Sequence, residues 1–151
     1  MAERLVASNK RARKDYEILE SLEAGLVLQG TEVKSLRAGQ ADLTGSYARV
    51  EGSEVWLYDC HIPHYKDGGY ANHDPKRPRK LLLHSREIKR LIGKVAQKGV
   101  TLVPLKLYFS GGYAKILLGV ARGRTKEDRR RSIDDEIARR EMKQAVRRHG
   151  V

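Results

Sequence analysis

From Tyr16 to Leu28 the chain alternates: Tyr16, Ile18, Leu22, Ala24, Leu26 and Leu28 are apolar at even positions, and Glu20 is the exception. A period of two belongs to a strand with one buried face, and Ala24-Gly25 is the expected place for a bulge or bend within it. Ser46–Val50 and Val55–Ile62 read as a hairpin around Glu51-Gly52-Ser53-Glu54. Thr101–Phe109 and Tyr113–Ala121 read as two more strands joined by Ser110-Gly111-Gly112, with Ala114, Ile116, Leu118 and Val120 on one face. Pro104 cannot donate to a ladder, so it predicts an edge strand or a bulge.

Two segments carry a helical period instead. Ile88, Leu91, Ile92 and Val95 follow at i, i+3, i+4 and i+7, with Ser85 as N-cap and Gly99 as the stop. A shorter helix capped by Thr31 carries Val33 and Leu36 and ends at Gly39. The sum is a β-rich α+β domain, an OB-fold-like antiparallel barrel of about six strands with two or three flanking helices. Such barrels bind nucleic acid on an outer face, an analogy that is weak on its own. After Gly123 the apolar stripe thins to Ile133, Ile137, Met142, Val146 and Val151 among many charges. Such a stretch buries too little surface to offset its ordering entropy, so it is expected to be disordered when free and helical on a partner. The expected division is a barrel domain over residues 1–122 and a basic C-terminal tail over 123–151.

Charge points to the partner. The 151 residues hold 31 Lys+Arg against 19 Asp+Glu, a formal net charge of +12, which is the footprint of a polyanion binder. The cations are clustered: Lys10, Arg11, Arg13 and Lys14; then Lys76, Arg77, Arg79 and Lys80 around two prolines; then the tail. Proline restricts itself and its predecessor, so Asp74–Lys80 is expected to be a stiff, extended cationic strap anchored by Leu81, Leu82 and Leu83. There is no long apolar run or leader pattern, which predicts a soluble cytoplasmic protein with no membrane partner. A single cysteine, Cys60, excludes an internal disulfide.

Conventional catalytic chemistry does not emerge. There is no Gly-rich phosphate loop and no H-E-x-x-H. Cys60, His61 and His64 fall short of a zinc spacing, and His84 beside Ser85 reads as helix-capping surroundings. The expectation is a non-enzyme with no catalytic residue, cofactor or metal.

Several blocks carry a resemblance. Asn9-Lys10-Arg11-Ala12-Arg13, Leu22-Glu23-Ala24-Gly25, the ten residues Gly30–Gly39, His73–Leu83 and Gly99–Phe109 resemble the SmpB family, the SsrA-binding proteins of bacteria, in order and spacing. The resemblance covers Asn9 to Gly123. It implies an OB barrel that binds the tRNA-like domain of transfer-messenger RNA and brings it to stalled ribosomes for trans-translation. Elongation factor Tu would be met only through the RNA, and the protein would act as a monomer. Asn9, Glu23 and Leu82 fall on positions for gripping the RNA. An acid such as Glu23 suits base or ribose donors, because phosphate would repel it. Lys10, Arg11, Arg13, Lys34, Arg37, Arg79, Lys80, Lys115, Arg122 and Arg124 would contribute to RNA binding, mainly as phosphate charge. Tyr16 and Gly123 match positions close to the decoding centre of the small subunit. Asp128, Arg129 and Arg130 would begin the tail helix in the mRNA channel.

There are departures from the family pattern. Thr125 follows Arg124 where a second lysine is usual, Glu127 replaces an aromatic or histidine, and Lys14 replaces a histidine. Two other readings compete. A single-strand RNA chaperone would need exposed aromatics, and this chain has one Trp, one Phe and seven Tyr. A basic ribosomal protein would stay in its subunit at high salt.

Overall fold

The structure is a computed structural model and describes residues 3–123. Among the described residues seven strands and three α-helices follow in the order β1 (Arg4–Ser8), α1 (Lys10–Asp15), β2 (Tyr16–Leu26), α2 (Gly30–Arg37), β3 (Tyr47–Glu51), β4 (Glu54–Tyr58), β5 (Arg79–Leu82), α3 (Ser85–Val95), β6 (Val100–Ser110) and β7 (Tyr113–Gly123). All pairings are antiparallel. The order β6-β3-β4-β5-β2-β7 closes on itself through β6–β7, and β1 is added to the outside of β6. The expected barrel is therefore a ring-like sheet of six strands with a seventh annexed. Two seams are thin: β3 meets β6 only at Ala48↔Leu102, and β2 meets β5 at Gly25↔Leu82 and Leu26↔Leu81.

The ring interior is filled by Leu22, Ala24 and Leu26 of β2, Val55 and Leu57 of β4, Leu81 of β5, Leu102 and Leu107 of β6, and Ile116, Leu118 and Val120 of β7. Leu36 of α2 and Leu91 of α3 join this core with no exposed surface. Burying each leucine contributes about 1.5–3 kcal/mol, so the two helices are held by their apolar faces.

A second, smaller cluster lies on the outside: Ala12 of α1, Val103, Leu105 and Ala121, with Tyr16, Ile18 and Leu117 packed against it. Two bulges create it. The register of β2 on β7 slips between Ile18 and Glu20, so Leu19 is extra and the residues before it face outward. This explains the Glu20 exception and moves the expected bulge from Ala24-Gly25, where Gly25 stays in register. Glu20 instead reaches α3, where its carboxylate lies 2.6 Å from Arg90 and 3.8 Å from Lys94. The register of β6 slips between Pro104 and Lys106. Pro104 thus marks a bulge and not an edge, since β6 lies between β1 and β7.

The remaining local differences have simple causes. The helix caps fall earlier than Thr31 and Ser85. Glu32 accepts the Gln29 N–H at 2.7 Å and Glu87 the His84 N–H at 3.0 Å, so a carboxylate in the first turn satisfies each helix start. The Thr31 hydroxyl is instead bonded to His73 Nδ1 at 2.8 Å. Gly111 and Gly112 both take positive φ between Ser110 and Tyr113, a two-residue hairpin turn that suits glycine. The proline segment is not an extended strap. The Lys76 N–H bonds Asp74 Oδ1 at 3.0 Å and the Arg77 N–H bonds the Asp74 carbonyl at 3.1 Å, which makes a turn before β5.

Candidate nucleic-acid interface

The alternation that buries Leu22, Ala24, Leu107 and Ile116 turns their neighbours outward. Cross-strand register then aligns Leu5, Tyr108, Lys115, Gly25 and Leu82 in one row across β1, β6, β7, β2 and β5. Lys106, Leu117 and Glu23 form a shorter row beside it. Leu5 and Leu82, at the two ends, are 58% and 54% exposed. Gly25 keeps the floor low: a Cβ there would lie 3.3 Å from the Cβ of Leu82. Around it Glu23, Leu82, Leu83, His84, Glu87 and Lys115 line a shallow cleft of about 430 Å³. The Glu23 carboxylate accepts a hydrogen bond from the Tyr108 hydroxyl at 2.5 Å. An exposed apolar side chain, a lysine and an oriented acid on one open face offer a base a surface to pack on, a phosphate a counter-charge, and an N–H or O–H donor an acceptor.

α1 borders this face. Its only buried residue, Ala12, packs on the outer cluster, and Leu117 both joins that cluster and adjoins Glu23 and Tyr108 in a neighbouring cleft. Lys10, Arg11 and Arg13 are exposed on α1, with Arg11 3.4 Å from Asp15. Tyr16, directly after α1, is the register partner of Gly123, and the exposed Arg122 stands opposite Glu17 and Val100. The structure so brings together Glu23, Leu82 and Lys115 as one group, and Tyr16, Arg122 and Gly123 as another.

Two expected RNA contacts are corrected. Arg79 is fully buried and holds the fold. Its Nε donates to Glu32 Oε2, and its other nitrogens reach the carbonyls of Cys60 at 2.6 Å and Pro75 at 3.0 Å. Arg77 takes the other Glu32 oxygen at 2.5 Å. Burial works against charge on Glu32, yet Arg77, the Gln29 N–H and Arg79 outweigh it and hold the carboxyl below its usual range. Half of the cations in the proline segment are therefore spent on one internal carboxylate. Asn9 is also buried. Its Oδ1 caps α1 through the Ala12 N–H at 3.1 Å, while Nδ2 donates to the carbonyls of Pro104 at 2.9 Å and Leu43 at 3.3 Å. The bulge at Pro104 frees the carbonyl that Asn9 needs.

Lys80 shares the outer face of β5 with Leu82 and lies 3.6 Å from Glu54. Lys34 and Arg37 sit over the rings of Tyr65 and Phe109 and do not line the Leu82 cleft. Arg124, Asp128, Arg129 and Arg130, with the rest of the expected tail, lie outside the described residues. Cys60 is buried, and burial pushes its thiol up to about 11. Among the described residues no helix is long and apolar enough to cross a membrane.

The sequence profile of the family described as SmpB protein matches residues 6–148. The chain belongs to the SmpB family. It is 58% identical over 140 residues to the SsrA-binding protein of Thermus thermophilus, spanning 92% of this chain and 97% of that one. It is 54% identical over 145 residues to the SsrA-binding protein of Carboxydothermus hydrogenoformans, spanning 96% and 97%. It is also similar to a solved chain described as "tmRNA-SmpB: a journey to the center of the bacterial ribosome", with a TM-score of 0.69 and 58% identity over 84% of this chain and 93% of that one.

Sequence reasoning missed several residues on the open face of this SmpB-family chain. Leu5, Lys106, Tyr108 and Gly25 reach it only through cross-strand register. Even β1 and α1 were unforeseen, because each is short and α1 buries a single alanine.

Proposed function

We propose that the chain binds the tRNA-like domain of transfer-messenger RNA and carries it to ribosomes stalled without a stop codon, for trans-translation. The observation that carries this reading is the open row with Glu23, Leu82 and Lys115, in a chain so similar to SsrA-binding proteins over nearly its whole length. Glu23 would accept from base or ribose donors, Leu82 would pack on an unpaired base, and Lys115 with Lys10, Arg11, Arg13 and Arg122 would supply phosphate charge. The tRNA-like domain would bring elongation factor Tu with it, so the chain needs no surface of its own for that factor. Tyr16 and Gly123, as register partners, would face the decoding centre at the point where the chain leaves the sheet. The residues after Gly123 would enter the mRNA channel. In this reading the chain is a cytoplasmic, non-catalytic adaptor.

The test is a gel shift with the tRNA-like domain, ordinary tRNA and unstructured RNA over a salt series. Selective binding that persists as salt rises supports the reading, whereas equal binding that collapses together means phosphate attraction alone. Glu23→Lys and Leu82→Arg should abolish selective binding in a folded protein. Removing residues 124–151 should leave RNA binding near normal while stopping peptide tagging. Full tagging by the truncated chain would refute the role given to the tail.

A further inference from the structure

Glu23 stands on a face with two lysines, Lys106 and Lys115, yet among the described residues no cation lies within ion-pair distance of it. Its hydrogen bond is to a neutral group, the hydroxyl of Tyr108, at 2.5 Å. Tyr108 lies on β6, two strands away, and is only 7% exposed. The Glu23 side chain therefore leans across Leu117 of β7 to meet it. Burial, followed by the adjoining Glu23 carboxylate, keeps the phenol protonated well above its ordinary range, so tyrosine donates and glutamate accepts.

We propose that Tyr108 is a positioning residue for RNA recognition: its hydroxyl holds one carboxylate oxygen of Glu23 and aims the other at an N–H or ribose O–H donor. This rests on the reading of Glu23 as an RNA acceptor. A glutamate on an open strand face loses side-chain entropy when it is fixed. Free to rotate, Glu23 would incur that cost on binding RNA, and it would fold onto Lys106 or Lys115 and neutralise the charges meant for phosphates. Tied to a buried hydroxyl, it is ordered beforehand and both lysines stay available. The arrangement also selects the ligand. With no cation within ion-pair distance among the described residues, a carboxylate at this place repels phosphate and accepts from N–H or O–H donors, which sharpens register on a folded RNA.

The experiment is a double-mutant cycle on the full chain with Tyr108→Phe, Glu23→Ala and both together. Affinity for the isolated tRNA-like domain is measured at three salt concentrations, and melting temperature is measured for each variant. Phenylalanine keeps the ring and its packing and removes only the hydroxyl. Tyr108→Phe alone should weaken binding about tenfold, the scale of a lost hydrogen bond to a charged group, with an unchanged salt slope. In the Glu23→Ala background the same change should cost nothing further. Equal losses with and without Glu23, or undiminished affinity in Tyr108→Phe, would overturn the proposal. If Glu23→Ala itself binds normally, the RNA face has been misplaced and the proposal falls with it.

Discussion

Replacing Arg79 with methionine tests the reassignment of this residue from RNA contact to structural pin. Methionine fills much of the same volume but leaves Glu32 with Arg77 as its one ion-pair partner among the described residues, and it leaves the Cys60 carbonyl without its side-chain donor and the Pro75 carbonyl with the Ile62 N–H alone. Breaking a buried ion pair from one side costs about 3–5 kcal/mol. For a domain of about 120 described residues, the unfolding entropy is about 0.25 kcal/mol/K, so the melting temperature should fall by about 12–20 °C. Thermal and urea unfolding followed by circular dichroism measure this directly. RNA affinity, taken at a temperature where the variant is still folded, should keep the unaltered protein's dependence on salt. A surface phosphate contact predicts the opposite: an unchanged melting temperature and a salt slope shallower by about 0.9. Lys115→Met should show that second pattern. If Arg79→Met shows it too, burial has been misread and the proline segment does face RNA.

Four further outcomes follow from the same geometry. Because the folded state holds Glu32 below its ordinary value of 4.5, its stabilisation is complete above that pH and is lost as pH falls through the lower folded value. Urea titrations from neutral pH to about pH 3 should therefore show an acid limb that is flatter in Glu32→Gln. Asn9→Ala should cost about 2–3 kcal/mol in unfolding experiments, from a lost cap and the loss of the side-chain donor to the buried Pro104 carbonyl, the Leu43 carbonyl keeping its bonds from Ser46, with RNA binding retained in the folded protein. Gly25→Ala should push on Leu82 and reduce RNA affinity severalfold with little change in melting temperature; unaltered affinity would remove the cleft from the interface. Cys60, with its thiol pushed up to about 11, should resist alkylation near pH 8 until denaturant is added.

Strand and helix existence was legible wherever burial repeats along one element: β2, the β3–β4 hairpin, α3 and the β6–β7 pair all follow their apolar periods. The stop of α2 was legible too, because Gly39 directly follows the C-cap Ala38 at positive φ, whereas α3 ends at Val95 with Ala96 as its cap and Gly99 shapes the turn into β6. The misreadings share one cause. The bulge at Leu19, the cap at Gln29 and the turn at Asp74 are settled by hydrogen bonds, cross-strand in the first case and local in the other two, that an apolar period does not report. Asn9 and Arg79 are the instructive cases. Both are polar residues inside motifs that invite an RNA role, and both are consumed by backbone carbonyls and a carboxylate that only the closed ring brings near.

By itself, then, the order of residues determined the β-rich class, the cationic excess and the family, because periodicity, charge and motif spacing are all written locally. Which cations remain free for a partner was decided by tertiary structure. A charge is available only if no buried acid or carbonyl claims it, and Glu32, 45 residues from Arg77 and 47 from Arg79, makes that claim across the fold. The open face was decided the same way, since Leu5, Tyr108, Lys115, Gly25 and Leu82 become neighbours only through strand register.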